Sequence, residues 1–148
     1  MTEKLKEAVE LFEEVMIYGT EHVIKNMDIP IWKEYSPEQI QVLKILSKYG
    51  TLSSGKLAGI QGVHKSAVSS RLKKLEEKGL VTSGRDENDQ RSKVIGLTLA
   101  GKEVLLISND AVYAYIKNLI NDRIDEQELE TFVQTFRKLK EIFEMKGM

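Results

Sequence analysis

The chain has 148 residues, 41% of them hydrophobic and 30% charged, with a formal net charge of −1. That suits one compact globular unit with a real core, and no apolar run reaches the ~18 residues that suggest a membrane span. Cysteine is absent, which removes disulfides, thiol nucleophiles and cysteine-ligated zinc. The charged N-terminus shows no signal-peptide h-region, so the cytoplasm is the expected compartment.

The near-neutral total hides an uneven distribution. Residues 55–93 hold nine Lys/Arg against five Asp/Glu, whereas residues 1–54 hold six against nine and residues 94–148 seven against nine. A basic middle lies between acidic ends, which points to an anionic partner for the middle.

In chain order, Leu5, Val9, Phe12, Met16, Val23, Ile24 and Met27 recur at helical spacing, and Ala8, Leu11 and Val15 widen the stripe. The pattern predicts a long helix over 4–27. So broad an apolar face fits either a core helix or contact with a second chain. Pro30 interrupts the pattern, because the residue before a proline is pushed out of the α region. Ser36-Pro37-Glu38-Gln39 then supplies an N-cap, a first-position proline and an acidic first turn, for a helix ending at Gly50. Ser53 is the expected cap of a short helix through Ile60, with Gly62 at the turn. The next helix starts near His64 or Lys65 and runs to Lys78. It has a single narrow apolar stripe, Val68, Leu72 and Leu75, and leaves Lys65, Ser66, Ser69, Ser70, Lys73 and Lys74 on the remaining circumference. A helix lying in a major groove needs that economy of burial. Residues 80–83 and 94–97 are β-prone runs flanking a polar, charged loop and predict a hairpin. Thr98 caps a further helix, and Asp125-Glu126-Gln127-Glu128 resembles a capping box opening the last one, whose seam is Leu129, Phe132, Val133, Phe136, Leu139, Ile142 and Phe143. The expected fold is mainly α with a small β-hairpin wing, a winged helix-turn-helix flanked by N- and C-terminal dimerisation helices. Residues 31–102 form its DNA-binding region, and 1–30 and 103–148 its helical dimerisation region, within one unit over 1–148.

Leu57-Ala58, Gly62-Val63, Lys65-Ser66, Val68-Ser69 and Leu75-Glu76-Glu77-Lys78-Gly79-Leu80-Val81, followed by Asp89-Gln90-Arg91-Ser92 and Leu97-Thr98 with Gly101, resemble the helix-turn-helix and wing of the MarR family. The resemblance in residues covers roughly 36–101. It implies a homodimer whose end helices intertwine, and a regulator of transcription, in the first instance a repressor, bound to a palindromic operator in double-stranded DNA. Several positions depart from the family pattern: His64 where Ser or Thr often opens the recognition helix, Ser70 and then Arg71 where Arg and then an apolar residue are common, and Ser83 where Arg is frequent. Gln61 replaces an apolar residue, which leaves Ile60 as the expected packing residue.

Phosphate contacts from Lys65, Arg71, Lys73, Lys74 and Lys93 are expected to supply affinity through counterion release. Ser66, Ser69 and Ser70 are short enough to let the helix approach base edges. On the wing, Arg85, Asp89, Arg91, Ser92 and Lys93 are the candidates. Arg91 suits the narrow minor groove, and Asp89 is expected to hydrogen-bond wing backbone or to pair with Arg91 and pre-set its direction, as the resemblance implies, rather than touch DNA. The family commonly binds a small aromatic or anionic effector between the dimerisation helices and the DNA-binding lobe. Here Met16, Tyr18, His22, Ile31, Trp32, Tyr35, Tyr113 and Tyr115 would line that cleft, although ordinary core is the favoured reading for these aromatics.

No enzyme constellation is visible. The two histidines, His22 and His64, are far apart in sequence and lack clustered carboxylates, no Ser/His triad is suggested, and there is no glycine-rich phosphate loop. No cofactor, metal or membrane partner is expected. The competing reading is a winged-helix protein-interaction module that does not bind DNA. The basic, serine-lined recognition helix disfavours it.

Overall fold

The structure, a computed structural model, describes residues 1–88 and 93–146. Its elements are α1 (Thr2–Asn26), α2 (Pro30–Glu34), α3 (Pro37–Tyr49), α4 (Ser54–Gln61), α5 (Lys65–Glu77), β1 (Val81–Arg85), β2 (Lys93–Leu97), α6 (Leu99–Ile120) and α7 (Glu126–Lys146). They fall into two compact units, Met1–Ala111 and Val112–Met148, with α6 running from one into the other. No helix among the described residues is long and apolar enough to cross a membrane.

The helix ends follow the local chemistry. Ser36 accepts from the Gln39 amide at 3.1 Å while the Gln39 side chain accepts from the Ser36 amide at 2.8 Å, a complete capping box opening α3. Ser53 caps α4 by accepting from the Lys56 amide, and Thr98 caps α6 by accepting from the Gly101 amide. Asp125 and Glu128 form the reciprocal pair that opens α7. Between α4 and α5 the chain reverses at Gly62, whose φ of 68° lies in the left-handed region where a side chain is strained.

The core belongs to the first unit. Val42, Leu43 and Leu46 of α3, Leu57 of α4, Val68 and Leu75 of α5, and Leu80, Val81 and Ile95 of the hairpin are all buried together. The hairpin is antiparallel, with Val81 opposite Leu97 and Arg85 opposite Lys93. Leu52 adds an isolated bridge to Ile95, with hydrogen bonds of 3.0 and 2.7 Å, so the linker before α4 acts as a one-residue third strand.

Three sequence expectations need amendment. Pro30 does not merely interrupt: it opens the five-residue helix α2 as its first residue. Each wing strand extends one or two residues further towards the loop than the β-prone runs suggested. Ile60 does not replace the missing apolar residue at the end of α4. It stays 46% exposed, while half-buried Gln61 binds α3 by hydrogen bonds.

The start of α6 lies hard against the chain leaving α5. Thr98 donates its amide to the Leu80 carbonyl and its hydroxyl to the Gly79 carbonyl. Gly101 is buried there, and a Cβ on it would sit 2.2 Å from the Leu80 carbonyl oxygen and 2.6 Å from Leu97 Cδ1. That approach is the physical reason for a glycine three residues after the capping threonine. Gly101→Ala is therefore expected to destabilise the fold by about 1–3 kcal/mol through overpacking, lowering Tm by roughly 2–4 °C for each kcal/mol. Thermal unfolding followed by circular dichroism checks this, and an unchanged Tm would contradict the docking of α6 on Leu80.

Candidate nucleic-acid interface

Helix α5 gives the core Val68, Leu72 and Leu75 and nothing else fully buried. Successive residues advance by about 100° around a helix, so its polar residues separate into two stripes on either side of that core line. Lys65, Ser66, Ser69 and Lys73 are exposed on one side, and Ser70 is exposed on the back of the helix, opposite the core line. Arg71, Lys74 and Lys78 share the other side.

The first stripe faces the wing. Ser69 and Lys73 of α5, Ser83 of β1 and Lys93 of β2 line a cleft of about 220 Å³ floored by Leu72, Val81 and Ile95. Glu76 also lines it, its carboxylate accepting from the Ser83 hydroxyl at 2.8 Å. Ser83 thus ties the wing to the recognition helix where the family often carries a long cation. Ser54 and Thr82, for which no sequence signal stood out, line the same cleft. Ser54 follows the capping Ser53, and a pair of serines at a helix start does not reveal which one faces outward.

At the outer end of the hairpin, Arg85 and Lys93 are exposed cross-strand neighbours. Directly opposed residues project from the same face of a sheet, and like charges so placed repel. The loop leaves β1 through an Asx turn, the Asn88 amide donating to Asp86 Oδ1 at 2.9 Å. Asp89, Arg91 and Ser92 lie outside the described residues.

The second stripe is engaged by the protein itself. Arg71 is half-buried, and its Nη1 donates to Gln61 Oε1 at 2.7 Å. Lys74 donates to the Glu34 carbonyl oxygen at the end of α2 and holds its ammonium 5.6 Å from the centre of the Tyr35 ring. Lys78 pairs with the Glu34 carboxylate at 3.1 Å. That hydrogen bond, reinforced by the carboxylate's charge, raises the Lys78 pKa above the ordinary lysine value. On the alkaline side the pair is accordingly lost as pH rises through the raised value, and it is present at neutral pH. Arg71 and Lys74, expected beside the groove-facing lysines, thus lie on a different face of α5 from Lys65 and Lys73.

The aromatic residues expected around an effector are distributed differently from one another. In the first unit Tyr35 is 5% exposed and part of the core. Burial raises its pKa, and the neighbouring Glu34 carboxylate adds to the effect. Ile31 packs against the core, and half-buried Trp32 donates its indole N–H to Ser108 Oγ of α6 at 3.0 Å. Tyr18 and His22 line a shallow groove along α1, and Met16 is exposed on the same helix. In the second unit Tyr113 is exposed and Tyr115 half-buried. Among the described residues no cluster of His, Asp or Glu is arranged to hold a metal ion.

Comparison with known proteins agrees with this geometry. The MarR family model matches residues 35–93. An HTH-type transcriptional regulator of Bacillus subtilis (strain 168), YdgG, described as uncharacterized, is 43% identical over 143 residues, covering 95% of this chain and 93% of its own. The crystal structure of the transcriptional regulator BldR from Sulfolobus solfataricus superposes with a TM-score of 0.66 at 28% identity, covering 91% of this chain and 97% of that one. A MarR family protein from Bacillus stearothermophilus shares the fold with a TM-score of 0.74 at 20% identity, over 97% of each chain.

Lys65→Met and Lys73→Met are each expected to weaken binding to random-sequence duplex DNA and to reduce the slope of log K against log salt by about 0.9 for each phosphate no longer neutralised. Fluorescence-anisotropy titration across a salt series measures both. Wild-type slopes in the two variants would remove this face from the interface.

Proposed function

Because the chain belongs to the MarR family of DNA-binding transcriptional regulators, we propose that it acts as a homodimeric repressor of a palindromic operator, released by a small effector. The dimer reading is carried by one observation, the amount of large apolar side chain left in water at the ends of the chain. On α1, Leu5, Val9, Phe12, Val15 and Met16 are between 45% and 66% exposed. On α7, Phe132 and Phe136 stack with ring centroids 4.2 Å apart, yet Phe132 is 55% and Phe143 65% exposed. Exposed apolar side chains at helical spacing on each of these helices mark an interaction site, and a second copy of the same chain covers it in the simplest closed symmetry.

A two-fold axis through such an interface presents two recognition helices to one side of a duplex, at half-sites about 34–36 Å apart. The cleft between α5 and the wing carries Lys73, Lys93 and several hydroxyls, suited to phosphate contact and to close approach at base edges. Repression then follows from occupancy of the operator. A small aromatic or anionic effector relieves it by binding more tightly to a dimer whose half-site spacing no longer matches, since only unequal affinity for the two states shifts their populations.

Selection of bound sequences from a random duplex pool tests the reading directly. An inverted repeat with half-site centres one helical turn apart is expected, together with a light-scattering mass twice the 16.9 kDa of the chain. A single non-repeated site bound by a monomer would overturn it.

A further inference from the structure

We propose that Arg71 is a positioning residue, which acts through Gln61 to set the axis of the recognition helix α5 and does not contact phosphate. The inference rests on duplex binding by the first stripe of α5. Gln61, the last residue of α4, joins three helices through one side chain. Its Nε2 donates to the Glu38 carbonyl oxygen at 3.1 Å and to Gln41 Oε1 at 2.9 Å, both on α3. Its Oε1 accepts from Arg71 of α5 at 2.7 Å. The Glu38 carbonyl can only accept, so the amide nitrogen must face α3 and the amide oxygen must face Arg71. The node has a single satisfied orientation.

An apolar residue at position 61 would fill space between the helices without fixing their rotation. A directed amide fixes it, because a hydrogen bond weakens steeply away from its axis. Helix α5 needs such a device, since three side chains on one stripe hold it to the core and leave rolling about its own axis weakly opposed. Lys74 and Lys78, on the same flank as Arg71, reinforce the hold by gripping the C-terminal end of α2 at Glu34. The partner of Arg71 is a neutral amide, not a carboxylate, so the guanidinium keeps its full charge. It adds to the positive field of the lobe while its geometry is committed to the fold.

The two roles predict opposite results for Gln61→Leu, which leaves the charge of the protein unchanged. Take a duplex enriched from a random pool by the wild-type protein, and a random-sequence duplex of equal length. If Arg71 positions α5, Gln61→Leu weakens the enriched duplex roughly tenfold or more, on the scale of removing a hydrogen bond to a charged group. Random-duplex affinity and the salt slope stay at wild-type values, which also shows the lobe is folded. Arg71→Met lowers the enriched-to-random ratio to the same extent with the slope unchanged, and the double variant is no worse than either single one. If Arg71 is a phosphate ligand, Gln61→Leu frees it and binding is unchanged or tighter, while Arg71→Met reduces the slope by about 0.9. That pair of results would overturn the proposal. The wild-type titrations report separately on duplex binding itself.

Discussion

The structure depends on how little of α5 is buried. A helix meant to lie in a groove must leave most of its circumference to its partner, and α5 gives the core only Val68, Leu72 and Leu75. Apolar contact along one line resists lifting the helix away from the core but hardly resists rolling it. The remaining constraint must therefore be polar and must sit on a flank. In this chain the flank is the Arg71, Lys74 and Lys78 stripe, meeting Gln61 of α4 and Glu34 of α2. On the opposite flank the Ser83–Glu76 hydrogen bond fixes the wing to the same helix.

This arrangement changes what the basic charge of residues 55–93 means. Nine cations in that stretch suggest one electropositive face, yet they serve two ends. Lys65 and Lys73 stand on the wing side of α5 with Ser66 and Ser69, and Lys93 stands opposite Arg85 at the wing base. Lys78 is neutralised locally by Glu34, whereas Arg71 is held by an amide and keeps its charge. Exposed ion pairs contribute little to stability. The value of the Glu34 contacts lies in tying α2 to α5, and α2 is in turn tied to α6 by the Trp32–Ser108 hydrogen bond. The short helix α2 thus touches both the recognition helix and the long helix that leaves the lobe.

Much of this was legible in the residues. Ser36, Ser53, Thr98 and Asp125 are caps whose partners lie three residues away, and such local devices can be read from spacing alone. Two β-prone runs around a polar loop located the hairpin and the family pattern singled out Gly101, and the structure supplies the reason for Gly101, a carbonyl oxygen with no room beside it. Contacts between residues remote in sequence were not legible. Glu34 and Lys74 are 40 positions apart, and nothing local to Lys74 distinguishes a lysine that faces a phosphate from one that faces a helix end. Helix α2, at five residues, is too short to show periodicity. Gln61 read as a defect in an apolar pattern because its compensating partners lie on two other helices.

The central claim is that the cations of α5 divide into a face for DNA and a flank for the fold. Lysine acylation footprinting of the protein with and without duplex DNA, read residue by residue by mass spectrometry, tests that division most directly. Lys65, Lys73 and Lys93 are expected to be protected by the duplex, while Lys74 and Lys78 label equally in both states. Protection of Lys74 and Lys78 to the same degree as Lys65 and Lys73 would contradict it.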